Sequence, residues 1–240
     1  MSVEINKAMI LAAGRGTRMR ALTDETPKPL IKVLGETLID RVADKIAAYG
    51  IKDCVVNVCY LGKQIKENLN KRADMRFTFS EEENALETGG GVKKALPLLG
   101  DRPFFVLNAD PLWTEKTPAL QRMAQVFDET RADILLLLWP VKHVYGHDGK
   151  GDYFIESGRP RRKKPEEETA PFVYAGAQIL NPRIFDDAPD GKFSLNLLYD
   201  RAEKAGRLAA VVGDGDWYHV GTPEALALAE QKLKDQPDDG

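Results

Sequence analysis

The feature that most limits the fold is an alternation of short apolar runs with helix-patterned segments, the first run stopping abruptly at glycine. Lys7 to Ala13 carries Ala-Met-Ile-Leu-Ala-Ala and halts at Gly14, which reads as a buried strand feeding a loop. Strand-like runs recur at Val55 to Val58, Arg76 to Phe79, Phe104 to Leu107, Asp133 to Trp139, Phe172 to Leu180 and Leu208 to Val212. Between them, Leu38 to Tyr49 has helical spacing at Leu38, Val42 and Ile46 and ends at Gly50, a C-terminal stop. Lys63 to Leu69, Val92 to Leu99, Pro118 to Thr130, Leu195 to Lys204 and Ala225 to Lys234 read as further helices. The alternation predicts an α/β fold: a doubly wound, mostly parallel, Rossmann-like sheet flanked by helices. From His143 to Pro171 the pattern lapses into polar sequence. There the basic run Arg159 to Lys164 sits beside Glu166 to Glu168 and reads as a solvated face.

Composition narrows the function classes. A net charge of −3 argues against a general nucleic-acid binder, whose footprint is a basic excess. The 2 cysteines, Cys54 and Cys59, would stand about 17 Å apart on one extended strand and face opposite sides. They are expected to be unpaired core residues in a reducing compartment rather than a disulfide or a zinc site. The start of the chain lacks a basic region followed by a long apolar stretch. The longest apolar run, Ile134 to Pro140, is too short for a bilayer, so the expectation is a cytoplasmic protein with no membrane partner.

Three segments carry chemistry. In Leu11-Ala12-Ala13-Gly14-Arg15-Gly16-Thr17-Arg18, glycine lets the backbone turn tightly and bring its N–H groups to phosphate oxygens. Arg15 and Arg18 can add directed hydrogen bonds, although the same pattern alone also describes a glycine turn with solvated arginines. Lys28 stands between Pro27 and Pro29, which fix the backbone around a compact point charge suited to phosphate; alone, it reads as a surface turn. Asn108-Ala109-Asp110 ends a buried strand, where open α/β sheets place ligands and a carboxylate can hold Mg²⁺. An aspartate there is otherwise a helix or turn cap. A dinucleotide-binding site is disfavoured, because Met19 stands where the third glycine would be.

Taken together, Gly14 to Thr23 and Pro27-Lys28-Pro29-Leu30 resemble the signature of sugar-1-phosphate nucleotidyltransferases. The resemblance implies that the 11–18 loop and Arg18 hold a nucleoside triphosphate, that Lys28 contacts phosphate at the reacting centre, and that Asp110 binds Mg²⁺ or Mn²⁺. It further implies that Leu86 to Gly91 seats the nucleoside through Gly90, with Glu82 reading the base and Asn108 beside it. In the second half, Tyr174-Ala175-Gly176 resembles the strand lining the sugar pocket, and Gly151-Asp152-Tyr153 is expected to form a second edge. Lys164-Pro165 resembles the Lys-Pro that holds the sugar's phosphate, but Lys163 replaces the usual preceding glutamate. His219, in Trp217 to Thr222, replaces an aspartate that ligates metal in the family. Mg²⁺ prefers oxygen ligands. Asp110 with substrate phosphates, Asp214 or Asp216, a His219-held Mn²⁺ or Co²⁺, and a histidine without metal all remain open.

One domain over 1–240 is expected, with a nucleotide-binding half to about 140, a sugar-phosphate half from about 141 to 225, and a terminal helix and tail. The reaction implied is in-line attack of a sugar 1-phosphate oxygen on the α-phosphorus. The nucleophile is already anionic, so positioning and charge neutralisation suffice. Within the family, Leu86 to Gly91 and the chain's length are most similar to cell-wall-recycling enzymes that join UTP to N-acetylmuramate 1-phosphate. Guanylyltransferases of mannose 1-phosphate come next, and a non-catalytic nucleotide-sugar sensor, motivated by His219, is the alternative from another class.

Overall fold

The run after Lys7 becomes β1 (Ala8–Leu11), an interior strand of the main sheet, in the computed structural model, which describes residues 4–14, 16, 19, 23, 25–147 and 149–235. The first half continues through β2 (Lys32–Val33), β3 (Glu36–Thr37), α1 (Leu38–Tyr49), β4 (Asp53–Val58), α2 (Gly62–Leu69), β5 (Arg76–Glu81), α3 (Glu87–Leu99) and β6 (Phe104–Asn108). Next come β7 (Leu112–Trp113), α4 (Ala119–Val126), β8 (Ile134–Pro140), β9 (Val144–Tyr145), β10 (Tyr153–Glu156) and β11 (Arg159–Arg162). The chain closes with β12 (Phe172–Leu180), α5 (Asn196–Lys204), β13 (Leu208–Val212), β14 (Trp217–Tyr218) and α6 (Pro223–Lys234).

Strands β6, β1, β4 and β5 lie side by side, all parallel. The second half joins through β12, which runs antiparallel to both β6 and β8, and β8 pairs in parallel with β13. Both halves therefore share one sheet. Its central strands β1, β6 and β8 are almost wholly apolar because both faces are covered. Successive side chains alternate between two cores: Ala8, Ile10, Phe105, Leu107, Leu135 and Leu137 face one. Met9, Phe104, Val106, Ile134, Leu136 and Leu138 face the other. A separate small sheet, β7-β14-β9, packs beside the end of β6 and fixes the segments carrying Asp110 and His219.

Local chemistry sets several boundaries. The Thr37 hydroxyl accepts the Asp40 N–H at the start of α1, and Gly50 ends it in the left-handed conformation. Other boundaries depart from expectation. Helix α3 begins at Glu87 rather than Val92, so Gly89, Gly90 and Gly91 lie inside it. Helix α4 stops at Val126, where Phe127 turns extended. The basic run is not a free solvated face: Arg159–Arg162 forms β11, paired with β10, and Arg161 and Arg162 bond Glu167 and Asp200. Cys54 is buried, and burial pushes its thiol well up. Cys59 lies beyond the end of β4 and is only partly buried, so it is not the core residue expected; both thiols are free. Among the described residues no helix is long and apolar enough to cross a membrane.

An ion cluster pins the far end of the sheet. Asp133, just before β8, receives both Arg183 and Arg207, and Arg207 also donates to the carbonyls of Glu129 and Thr130. Burial pushes the Asp133 carboxyl up, but hydrogen bonds from Arg207 and Arg183 outweigh it and hold the group below its ordinary value. A carboxyl depressed in the folded state adds stability above its unfolded pKa, and loses that contribution as pH falls through the folded one. Asp133→Ala should therefore cost about 2 kcal/mol at neutral pH. The deficit should shrink as pH drops below about 4, the ordinary aspartate range. Thermal unfolding of both proteins across pH checks this.

Candidate active site

Two cavities open at the carboxyl ends of β1 and β6, and they meet at Asn108 and Asp110. The first, of about 310 Å³, is lined by Leu11, Ala12, Ala13, Gly14, Gly16, Lys28, Asn108 and Asp110. Asn57, Ala85, Glu87 and Thr88 complete its wall. The second, of about 260 Å³, is lined by Asp152, Tyr174, Gly176, Trp217, His147 and His219 with the shared pair. A sheet end with a crevice beside it is where open α/β folds take ligands.

Lys28 and Asp110 form an ion pair at this junction. Lys28 lies on a short 3-10 turn (Lys28–Leu30) entered from Pro27, and it is buried. Its stem packs on Gly16. A Cβ on Gly16 would sit 2.7 Å from the Lys28 Cβ, and Gly16 has φ +64°, so both the space and the backbone demand glycine. The Gly16 carbonyl also accepts the Met19 N–H at 3.0 Å and the Thr23 hydroxyl at 3.2 Å. Gly16→Ala should displace Lys28 and lower kcat/KM about a hundredfold, since small misplacements of a reacting group cost that much. Steady-state kinetics on a variant shown to be folded checks this. Arg15, Thr17 and Arg18 lie outside the described residues.

Asn57, at the end of β4, supports the other wall and is almost fully buried. Its Oδ1 accepts the Ala12 N–H at 2.9 Å, and its Nδ2 donates to Glu82 Oε1 at 2.7 Å. Glu82 Oε2 accepts the Leu86 N–H at 2.8 Å. Glu82, expected to read a base, is thus buried with both oxygens engaged by protein donors, and it does not line the cavity. Gly90 does not line it either. Its N–H donates to the Phe193 carbonyl at 3.1 Å, and a Cβ there would meet the Gly191 carbonyl at 2.1 Å. That glycine permits close packing of the helix on Gly191. The sequence did carry a sign of Asn57: an amide in an otherwise apolar strand must find buried partners.

In the second cavity, β12 is irregular between Tyr174 and Gln178, with Gly176 at φ +84°. This bulge turns Tyr174 and Gly176 toward the space. Asp152 accepts the Tyr174 N–H at 2.9 Å, and Trp217 Nε1 donates to the Ala175 carbonyl at 3.1 Å, fixing the bulge from both sides. Burial, then Asp216 and Tyr145, push the Tyr218 phenol up to about 12. Burial, followed by Tyr199, raises Tyr174 further, so both phenols stay protonated at neutral pH. Gly151 lies behind this wall, under the Ala170 carbonyl. Lys164 is not brought to the site: it is exposed after β11, and its N–H caps Glu167 at 2.7 Å. The His219 ring stacks on Trp217 and stands edge-on to His147, 5.8 and 5.6 Å between centroids. Among the described residues no group of three His, Cys, Asp or Glu side chains is placed to hold a metal.

A sequence profile of the nucleotidyl transferases matches residues 7–236. The chain belongs to the nucleotidyl transferase family. It is 42% identical to an N-acetylmuramate alpha-1-phosphate uridylyltransferase of Caulobacter vibrioides, covering 94% of this chain and 96% of that one. A protein of the same description from Neisseria meningitidis serogroup B is 36% identical, covering 93% and 98%. Among solved structures, HddC from Yersinia pseudotuberculosis superposes with a TM-score of 0.77 at 24% identity, over 95% of this nucleotidyltransferase and 100% of HddC. That likeness shows the shared fold.

Proposed function

We propose that this nucleotidyltransferase joins UTP to N-acetylmuramate 1-phosphate, giving a UDP-sugar and pyrophosphate. The observation that carries the reading is the junction of two cavities at Asn108 and Asp110, with Lys28 beside Asp110. The near full-length likeness to a uridylyltransferase of that substrate supports the choice of base and sugar. The triphosphate lies along Leu11 to Gly14 and Gly16 in the first cavity, and the resemblance assigns Arg18 to it as well. The sugar phosphate enters the second cavity against Tyr174, Gly176 and Asp152 and reaches the α-phosphorus at the junction. The first half thus serves the nucleotide and the second the sugar.

The residues present fit Mg²⁺ in one arrangement. Asp110, a partly exposed carboxylate just beyond β6, would hold it together with substrate phosphate oxygens and water, as this ion prefers. His219 is unsuited: its Nε2 is turned so closely toward Gly221 that a Cβ there would lie 2.2 Å away, and imidazole is a softer ligand. Bound there, the ion would neutralise charge on the departing pyrophosphate. Lys28, held beside Asp110, meets phosphate oxygens from that position and stabilises charge at the transferred group. The attacking oxygen is anionic, so no side chain has to accept a proton.

The test is competition: UTP and GTP are offered together with N-acetylmuramate 1-phosphate or mannose 1-phosphate, and the products are separated. The UDP-sugar of N-acetylmuramate as main product supports the reading. A GDP-sugar of mannose would replace it with guanylyl transfer, and nucleotide binding without any product would favour a sensor.

A further inference from the structure

We infer that Asn57 and Glu82 are a positioning pair that sets the spacing of the nucleoside pocket's two walls. The inference rests on the proposed nucleotidyl transfer. Three segments that are distant in sequence meet on these two side chains. The loop after β1 is tied by Ala12 N–H to Asn57, β4 supplies Asn57 itself, and the approach to α3 is tied by Leu86 N–H to Glu82. Asn57, Ala12 and the residues on either side of Leu86 (Ala85 and Glu87) all line the first cavity, while Glu82 stands behind them.

The hydrogen bonding allows one orientation of the amide. Asn57 Oδ1 faces a donor and Nδ2 faces a carboxylate, so a flipped amide would lose both bonds. Gly91, in the second turn of α3, closes the arrangement from behind. A Cβ there would lie 2.7 Å from Asn57 Nδ2 and 2.8 Å from Glu82 Oε1. The helix therefore packs its backbone directly on the pair, and its N-terminal end favours the Glu82 charge. With Glu82 holding the Leu86 N–H, the chain passes Ala85 into Glu87, whose φ of +60° is uncommon for a residue with a side chain. The pair thus fixes the wall that Ala85, Glu87 and Thr88 present, and is hydrogen-bonded to the phosphate loop through Ala12.

The test exchanges the polarity of the pair. Asn57→Asp sets two carboxylates against each other. Adding Glu82→Gln restores every bond: the new carboxylate accepts from Ala12 and from the Gln amide, whose oxygen accepts from Leu86. UTP, GTP, dTTP, CTP and ATP are titrated against the unmodified protein, and the nucleotide bound most tightly is used on the variants. Asn57→Asp should weaken it about tenfold, the worth of a hydrogen bond to a charged group. KM for this nucleotide should rise in step, KM for the sugar phosphate should stay within about twofold, and the exchange should restore nucleotide affinity to within about threefold. Unchanged affinity in Asn57→Asp, or no recovery in the exchange, overturns the inference. If Asn57→Asp does not fold, Glu82→Ala carries the same expected loss, and unchanged affinity there overturns it equally. Because binding is read without turnover, a protein that binds nucleotide but transfers nothing refutes the proposed function and leaves this inference to its own result.

Discussion

Asp110→Asn should lower turnover about a thousandfold and leave the fold intact, the scale of losing a main electrostatic contact to the reacting group. The carboxylate lies two residues beyond β6 where both cavities meet, and of the two residues they share, Asn108 and Asp110, it is the one that carries a charge. An amide keeps the shape but loses the charge that would hold a divalent ion. Stability should change little. The Asp110 side chain keeps 34% of its exposure and its ion pair with Lys28 is partly solvated, a class worth about 0–1 kcal/mol. Turnover and melting temperature measured together on the purified variant decide this. Turnover within tenfold of the parent would remove Asp110 from the reaction.

Lys28→Ala should follow with a loss of about a hundredfold or more, expressed mainly in kcat. The lysine is held before substrate arrives: its stem lies against Gly16 and its amine against Asp110. Preorganised charge at the site of transfer acts on the transition state more than on the bound ground state. Lys28→Arg should recover little, because a planar guanidinium does not fit the volume of a compact ammonium in a buried position. The double variant with Asp110→Asn should lose less than the product of the single losses, since the two groups act on one phosphate. Kinetics of the three variants over a range of nucleotide concentrations separate kcat from KM. A Lys28→Ala enzyme changed only in KM would make the lysine a binding group alone.

Much of the fold could be read from local signals. Helix α1 was legible end to end because its limits, Thr37 and Gly50, act within a few residues. Strand β12 was legible because nine consecutive residues match a buried strand, although its bulge at Gly176 was not. The start of α3 was not, because glycine opposes helix formation locally. What overrides that propensity is the close approach of Phe193, Gly191 and the Asn57–Glu82 pair, which only the tertiary structure reveals. Strand β11 hid for a related reason: its arginines are matched by Glu167 and Asp200, outside the run itself.

The candidate site divides the same way. Leu11 to Gly14, Gly16, Lys28, Asn108 and Asp110 sit where strand ends and fixed turns put them, and those are local features. Glu82 and Gly90 are expected at the site from their place in a resembling segment, and their surroundings show bridging by Glu82 and packing at Gly90. Asn57 depends on partners 45 and 25 residues away, a separation that no local pattern announces.

The central claim is tested most directly by incubating the purified protein with UTP, N-acetylmuramate 1-phosphate and Mg²⁺ and following pyrophosphate and UDP-sugar together. Equal amounts of both products, formed only when both substrates and the metal are present, are the predicted result. Pyrophosphate without a UDP-sugar, or neither product with a folded protein, would contradict it.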